Sequence, residues 1–193
     1  MTSNPSIIDA SRIACSDAEV VPLPPTDVYA SISFVMQEQC YSNWCWAASA
    51  ASVAAYYDAN TPWQQCTIAI KELHRPDCCQ YPCHQDSRPF NVINTLGSPL
   101  HRVRRLATVK FRQALRQEVR QELSSKRPVC ARSEWQGGGS HFIVIAAYSE
   151  ISDKLSVYDS LYGFSHMLFD RFCDSYWPGR GQWTHSYFTK PAN

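Results

Sequence analysis

From Ala47 to Ala55 the chain reads Ala-Ala-Ser-Ala-Ala-Ser-Val-Ala-Ala, a run with no charged residue and nothing larger than Val53. Alanine is the strongest helix former. A helix with almost no polar face cannot meet water on any broad side and has to be buried on most of them. This one element requires a core assembled around it, with neighbours approaching closely over small side chains. At its head stands Cys45, flanked by Trp44 and Trp46, in the string Gln39-Cys-Tyr-Ser-Asn-Trp-Cys45-Trp. Asn43 is a favoured N-cap and predicts a helix start there, which puts Cys45 in the first turn. Unpaired N–H groups and the positive end of the helix dipole favour a negatively charged sulfur at such a place. A buried cysteine at a helix start is also an ordinary packing residue, so the role of Cys45 depends on what else the chain offers.

At 193 residues and 45% hydrophobic, the chain can bury roughly 70% of its unfolded surface, enough for one sizeable domain that needs neither metal nor disulfide to fold. A net charge of +1 gives no global field to draw nucleic acid or an anionic membrane. Arg102, Arg104, Arg105, Arg112, Arg116 and Arg120 cluster locally. The later ones are interleaved with Glu118 and Glu122 at helical spacing, as on a solvated helix face. No run approaches the roughly 20 apolar residues of a membrane span, and the first residues lack a conventional secretory signal. Synthesis in the cytoplasm is expected, and a specialised secretion route would leave no signature of this kind.

Residues 1–28, rich in Ser, Asp and Pro and containing Cys15, read as a flexible extension, and residues 29–193 as the folded domain. Within it, Val28 to Val35 reads as a short strand or extended arm. Thr61-Pro62-Trp63-Gln64 predicts a helix start that carries Cys66, Ile70 and Leu73 on one face. Ser87 to Pro89 predicts another helix, with Phe90, Ile93 and Leu96 and a stop at Gly97. A longer amphipathic helix is expected from about Val109 to Leu123, with Phe111, Leu115, Val119 and Leu123 as its apolar row. Beyond Pro128 the hydrophobic period changes. Val129–Ser133, Phe142–Tyr148 and Leu155–Asp159 read as strands, with further strands at Tyr162–Leu168 and Trp183–Thr189 around a short helix from Phe169 to Tyr176. Helices followed by a sheet predict an α+β fold in two lobes, a helical lobe over about 37–125 and an antiparallel sheet lobe over about 126–190, with a cleft where they meet.

Cys66, Cys78, Cys79, Cys83 and His84 invite a zinc reading. Adjacent Cys78 and Cys79 cannot easily both face one tetrahedral metal, and no second CxxC-type pair exists, so no metal is assigned. Disulfide pairing or close packing of this loop is expected instead.

A thiol nucleophile needs a base, a group that orients the base, and donors for the oxyanion formed on attack. Gly137-Gly-Gly-Ser-His141 delivers an imidazole from a glycine loop into an apolar strand, at what reads as a sheet edge facing the cleft. Asp159 ends the neighbouring strand. If the two strands pair through the turn at Ser152, Asp159 approaches His141 and can hold its Nδ1–H. Gln39, in the turn before the helix, could join the Cys45 N–H in binding an oxyanion. His74, His84, His101, His166 and His185 lack either a following strand or a glycine-rich approach.

The order glutamine, cysteine-tryptophan, histidine, then acid resembles the papain-like cysteine peptidases, and Gln39 precedes Cys45 by their six-residue spacing. Further strings resemble one bacterial branch: Trp-Cys45-Trp-Ala-Ala, Trp63-x-x-Cys66-x-Ile-Ala, Cys78-Cys79, Arg127-Pro128-Val129, Gly-Gly-Gly-x-His141 and Gly181-x-Trp-Thr. That branch includes plant-pathogen effector peptidases and is distantly similar to bacteriocin leader peptidases. The resemblance covers about Gln37 to Lys190. It implies a two-lobe papain-like fold and amide hydrolysis of a protein or peptide through a thioester; no cofactor is assigned, and a monomer is expected. It assigns Cys45 as nucleophile, His141 as base and then acid, Asp159 as orienter and Gln39 as oxyanion donor. This chain departs from the branch at Ser140, where many relatives have glycine before the histidine, and at Ser160, where proline often follows the acid. The same triad could instead transfer the acyl group to an amine, as in transglutaminase-like or acyltransferase relatives. A chain with Cys45 merely packed would be a binding module held by its cysteine loop.

Overall fold

The computed structural model describes residues 29–177 and 180–192. The extension expected over residues 1–28, Cys15 included, lies outside the described residues. The elements run β1 (Tyr29–Ser31), α1 (Cys45–Tyr57), α2 (Gln65–Leu73), a 3₁₀ turn (Pro76–Cys79), α3 (Gly97–Arg102), β2 (Leu106–Lys110), α4 (Arg116–Ser124), β3 (Val129–Glu134), β4 (Ser140–Ser149), β5 (Lys154–Asp159), β6 (Gly163–Leu168), α5 (Phe169–Asp174) and β7 (Gln182–Thr189). The fold is α+β. All strand pairs are antiparallel, in the order β2-β7-β3-β4-β5-β6, and β1 pairs with the last residues of β4, beyond the stretch that β3 covers.

The sheet is covered on both faces, which explains why β4 is apolar without interruption. Phe142, Val144 and Ala146 point toward α1 and join Trp44, Trp46, the alanines of α1, Ile68 and Leu100 in one core. Ile143 and Ile145 point the other way, toward Val119 and Leu123 of α4 and Phe169 and Phe172 of α5. Alternation along one strand therefore feeds two cores. Every residue of α1 from Cys45 to Ala54 is buried, as a helix without a polar face requires.

Several expected boundaries move. α1 starts at Cys45, with Trp44 in the cap position and no side-chain cap. Asn43 instead donates from Nδ2 to the Asn91 carbonyl at 3.0 Å. α2 starts at Gln65 rather than at Thr61-Pro62, because the reciprocal cap is Gln64 with Thr67, where the Gln64 N–H donates to Thr67 Oγ1 at 2.8 Å. No helix follows Ser87. Instead, Arg88 to Leu96 form an irregular segment whose carbonyls serve Asn43, Trp44 and Trp46, and Gly97 begins α3 rather than ending a helix. The long helix expected from Val109 is a strand followed by a shorter helix. Phe111 and Leu115, the first half of its supposed apolar row, are 82% and 57% exposed. The true start is set by Glu118, whose carboxylate accepts the Leu115 N–H at 2.7 Å. β2 and α4 thus belong with the sheet in space, β2 as its edge strand next to β7 and α4 packed over β1, β3 and β4.

The arginines of this region are held in ion pairs, Arg112 with Glu118, Arg116 with Asp153 and Asp170, and Arg120 with Glu150. The cysteine loop is closed by two disulfides, Cys40–Cys83 and Cys66–Cys79. Three of the thiols considered as zinc ligands are consumed in this way, and Cys78 is a buried free thiol. Among the described residues no group of three or more His, Cys, Asp or Glu side chains is placed to hold a metal ion.

Candidate active site

The first turn of α1, the start of β4 and the turn after β5 meet in one cleft of about 230 Å3, lined by Cys45, Trp46, Asn94, Trp135, His141 and Tyr162 among others. Pairing of β4 with β5 sets Ile143 opposite Asp159, so the carboxylate reaches back to the ring two residues earlier. His141 Nε2 and Asp159 Oδ1 are 2.7 Å apart. The contact uses Nε2, not the Nδ1 expected from the sequence. Its Nδ1 is left free of Asp159 in the cleft that Cys45 also lines, and Cys45 is the second group that raises the imidazole. His141 does not lie at a sheet edge. β4 is an interior strand, and the ring faces the cleft because it sits at that strand's first turn out of the glycine loop.

Asp159 Oδ1 also accepts the N–H groups of Leu161 at 2.7 Å and Tyr162 at 3.0 Å, and Oδ2 accepts the Tyr176 hydroxyl at 2.7 Å. Burial alone would raise this carboxyl, but the donors, His141 first among them, hold it below the usual carboxylate range. Burial alone would lower His141, yet its bonds to Asp159 and Cys45 raise it to about 9. An imidazole between a sulfur and a carboxylate, with its positive form favoured, is equipped to take a proton from the one and be steadied by the other.

The remaining free thiols among the described residues are of another kind. Burial pushes Cys78 up to about 11 and Cys130 and Cys173 up to about 12. Only Cys45 lines this cleft and stands at a helix N-terminus, where the first N–H groups point out of the helix end.

Gln39 is buried beside the cleft. Its Nε2 donates to the carbonyls of Tyr41 at 3.0 Å and Ser42 at 2.7 Å, and its Oε1 accepts from the Ser160 hydroxyl at 2.9 Å. Trp44 and Trp46 wall the nucleophile's turn and are fixed through their indole N–H groups to the carbonyls of Phe90 at 3.0 Å and Val92 at 3.1 Å. A larger cleft of about 800 Å3, lined by Val109, Phe111, Arg132 and His185, shares Ile93, Asn94, Ser140 and Phe142 with the first and continues it.

Three residues at the site carry no local signal in the sequence. Trp135 stacks on His141, with ring centroids 6.0 Å apart and planes at 19°. Tyr162 meets the same ring edge-on at 5.8 Å. Tyr176 reaches Asp159 from beyond α5. Only the fold brings them in, although a lone tryptophan just before the glycine loop could have prompted the question for Trp135.

No curated protein matches the chain. A solved structure, that of a double glycine motif protease from an AMS/PCAT transporter in complex with the leader peptide, is similar with a TM-score of 0.44 and 19% identity, over 84% of this chain and 94% of that one. Residues 29–161, more than half of the chain and the stretch that holds Gln39, Cys45, His141 and Asp159, match the family described as papain-like cysteine protease AvrRpt2. The chain belongs to that family and is a papain-like cysteine peptidase.

Proposed function

We propose that the protein hydrolyses peptide bonds in a protein or peptide substrate, with Cys45 as nucleophile, His141 as general base and then acid, Asp159 as orienting carboxylate and Gln39 as oxyanion donor. The observation that carries this reading is the position of His141, bonded through Nε2 to Asp159 in the cleft that Cys45 also lines, with Cys45 among the groups that raise it. The thiol proton passes to the imidazole, and the sulfur attacks the substrate carbonyl carbon. The oxygen of that carbonyl becomes an oxyanion beside the N-terminal end of α1, where the Cys45 N–H can donate to it. Gln39 supplies a second donor by turning an amide hydrogen from the Ser42 carbonyl to the oxyanion, which attracts it more strongly because it is charged. The imidazolium then gives its proton to the leaving amine, and a thioester remains. Water, deprotonated by His141, hydrolyses the thioester and restores the thiol.

Residues 29–193 form the peptidase domain in this reading, with residues 1–28 as an extension before it. Cys45→Ala is expected to abolish cleavage of any peptide the protein cuts while leaving its unfolding transition in place, and retained cleavage would remove the proposal. Membership of the family also supports a bacterial effector, made in the cytoplasm and released by a specialised route. Retention of the whole pool inside the producing cell under secretion-inducing conditions would count against that role.

A further inference from the structure

Asp159 is held more firmly than the orientation of one imidazole requires. Its Oδ1 accepts three hydrogens, from His141, Leu161 and Tyr162, while Oδ2 faces a single partner, the Tyr176 hydroxyl at 2.7 Å. Tyr176 lies in the connection between α5 and β7, 17 residues beyond Asp159 in sequence, and it is only 3% exposed. Its backbone is pinned by a reciprocal pair of 2.8 Å hydrogen bonds with Gly181. Its ring packs edge-on against Phe172 at 5.2 Å and stacks on Trp135 at 6.0 Å, the same indole that lies over His141. For filling this space phenylalanine would serve. A buried phenol needs an acceptor, and the acceptor it takes is the second oxygen of the carboxylate that aims the imidazole.

We propose that Tyr176 is a positioning residue of the peptidase, whose hydroxyl fixes Asp159 Oδ2 so that Oδ1 stays on His141 Nε2 and the carboxylate stays ionised. This rests on the reading of Cys45, His141 and Asp159 as the catalytic residues. A carboxylate gripped on one oxygen can rotate about its Cβ–Cγ bond and lose alignment, whereas one gripped on both oxygens cannot. A short hydrogen bond from a neutral hydroxyl to a charged oxygen is also among the stronger kinds. The titratable groups that face Asp159 are His141 from β4, Tyr176 from the α5–β7 connection and, beyond the imidazole, Cys45 from α1. Tyr162, from the β5–β6 turn, faces it through its backbone N–H and stands edge-on to His141. No lysine or arginine forms an ion pair with Asp159 among the described residues. Among the described residues Tyr176 therefore supplies the one side-chain donor to this carboxylate other than His141.

The test is the pH profile of Cys45 alkylation by iodoacetamide, followed by mass spectrometry, in the wild type, in His141→Ala, in Tyr176→Phe and in protein carrying 3-fluorotyrosine at position 176. Losing the hydroxyl frees the Asp159 carboxylate to turn off His141 Nε2, so the imidazolium that accompanies the Cys45 thiolate is less well stabilised, and Tyr176→Phe should move the acid limb of the profile upward by about one pH unit, the shift that one hydrogen bond to a charged group corresponds to. The fluorinated ring keeps the hydroxyl as a stronger donor and should move the limb downward. An unmoved limb in a folded Tyr176→Phe protein overturns the proposal, since a hydroxyl that merely satisfied itself would lower the melting temperature without shifting the profile. If that variant does not fold, the fluorotyrosine protein decides, with a downward shift supporting the proposal and an unmoved limb overturning it. A wild-type profile that is unchanged in His141→Ala removes the catalytic reading and the proposal with it. Dependence on His141 together with an unmoved limb removes the proposal alone.

Discussion

Ser160 and Gln39 hold each other by two hydrogen bonds, from the Gln39 N–H to the Ser160 carbonyl at 3.0 Å and from the Ser160 hydroxyl to Gln39 Oε1 at 2.9 Å. Ser160 directly follows Asp159, so one turn aims both the imidazole and the amide. With Oε1 on a hydroxyl donor, Nε2 has to face the cleft-side carbonyls of Tyr41 and Ser42. Gln39→Ala is expected to lower kcat by about 10²- to 10³-fold, the loss that follows removal of one oxyanion donor. Ser160→Ala, which frees the amide to rotate, should fall between that variant and the wild type. Steady-state kinetics on one cleaved peptide orders the three, and a Gln39→Ala protein as fast as the wild type would remove the donor role.

Activity and stability should both decline in alkali, for the same reason. His141 is raised to about 9, above the ordinary histidine value of 6.5, through Asp159 and Cys45. Its contribution to stability is complete below about 6.5 and is lost as pH rises through about 9. Asp159 is lowered, so its contribution is present above the ordinary value of 3.8 and is lost as pH falls through its lower folded value. Urea unfolding at a series of pH values checks both limbs. In His141→Gln the alkaline decline between those values should flatten.

Cys40–Cys83 binds the loop that leads to Phe90, Asn91 and Val92 to the nucleophile's turn, and Cys66–Cys79 ties the start of that loop to α2. Cys40–Cys83 joins positions 43 residues apart and Cys66–Cys79 positions 13 apart, worth about 4 and about 3 kcal/mol in a chain-entropy estimate. The His84 N–H donates to the Cys40 carbonyl at 2.7 Å beside the first bridge. The double variant Cys40→Ser, Cys83→Ser should lose about 2–4 kcal/mol by urea unfolding and expose Trp44 and Trp46, with a red shift of tryptophan emission. An unchanged midpoint would show that the loop's side-chain contacts hold it unaided.

Gly181 has no room for a side chain. A Cβ there would lie 1.9 Å from Ser133 Oγ and 2.6 Å from the ring of Trp135. The hydroxyl can rotate away, but the indole is stacked between His141 and Tyr176 and cannot. Gly181→Ala should therefore cost about 1–3 kcal/mol by overpacking and displace Trp135 from the imidazole, slowing Cys45 alkylation as well as lowering the melting temperature. A variant that melts and reacts like the wild type would contradict this packing.

The parts of the site that strong local rules govern were legible in the sequence. The alanine run imposes a buried helix, the glycine loop delivers His141 to a strand, and the Ser152 turn pairs that strand with the one ending at Asp159. What the sequence misplaced was decided by tertiary partners. Phe111 and Leu115 fit a helical period, but β7 claims the preceding residues as an edge strand, and Glu118 sets the helix start by accepting the Leu115 N–H. Asn43 has the chemistry of a cap and is drawn off by Asn91. The ring of His141 turned the other way because Asp159 approaches from the side of β5 and Cys45 from α1, a geometry that spacing along the chain does not encode. Tyr176 was invisible for the same reason.

Whether Cys45 and His141 work as a pair is read from the pH dependence of Cys45 alkylation in the native protein and in His141→Ala. A free thiol reacts as it ionises near pH 8.5 or so. Native Cys45 should be modified rapidly well below that pH, and Cys45 of the variant slowly. Modification of both proteins only near the free-thiol value, at equal rates, would contradict the pairing.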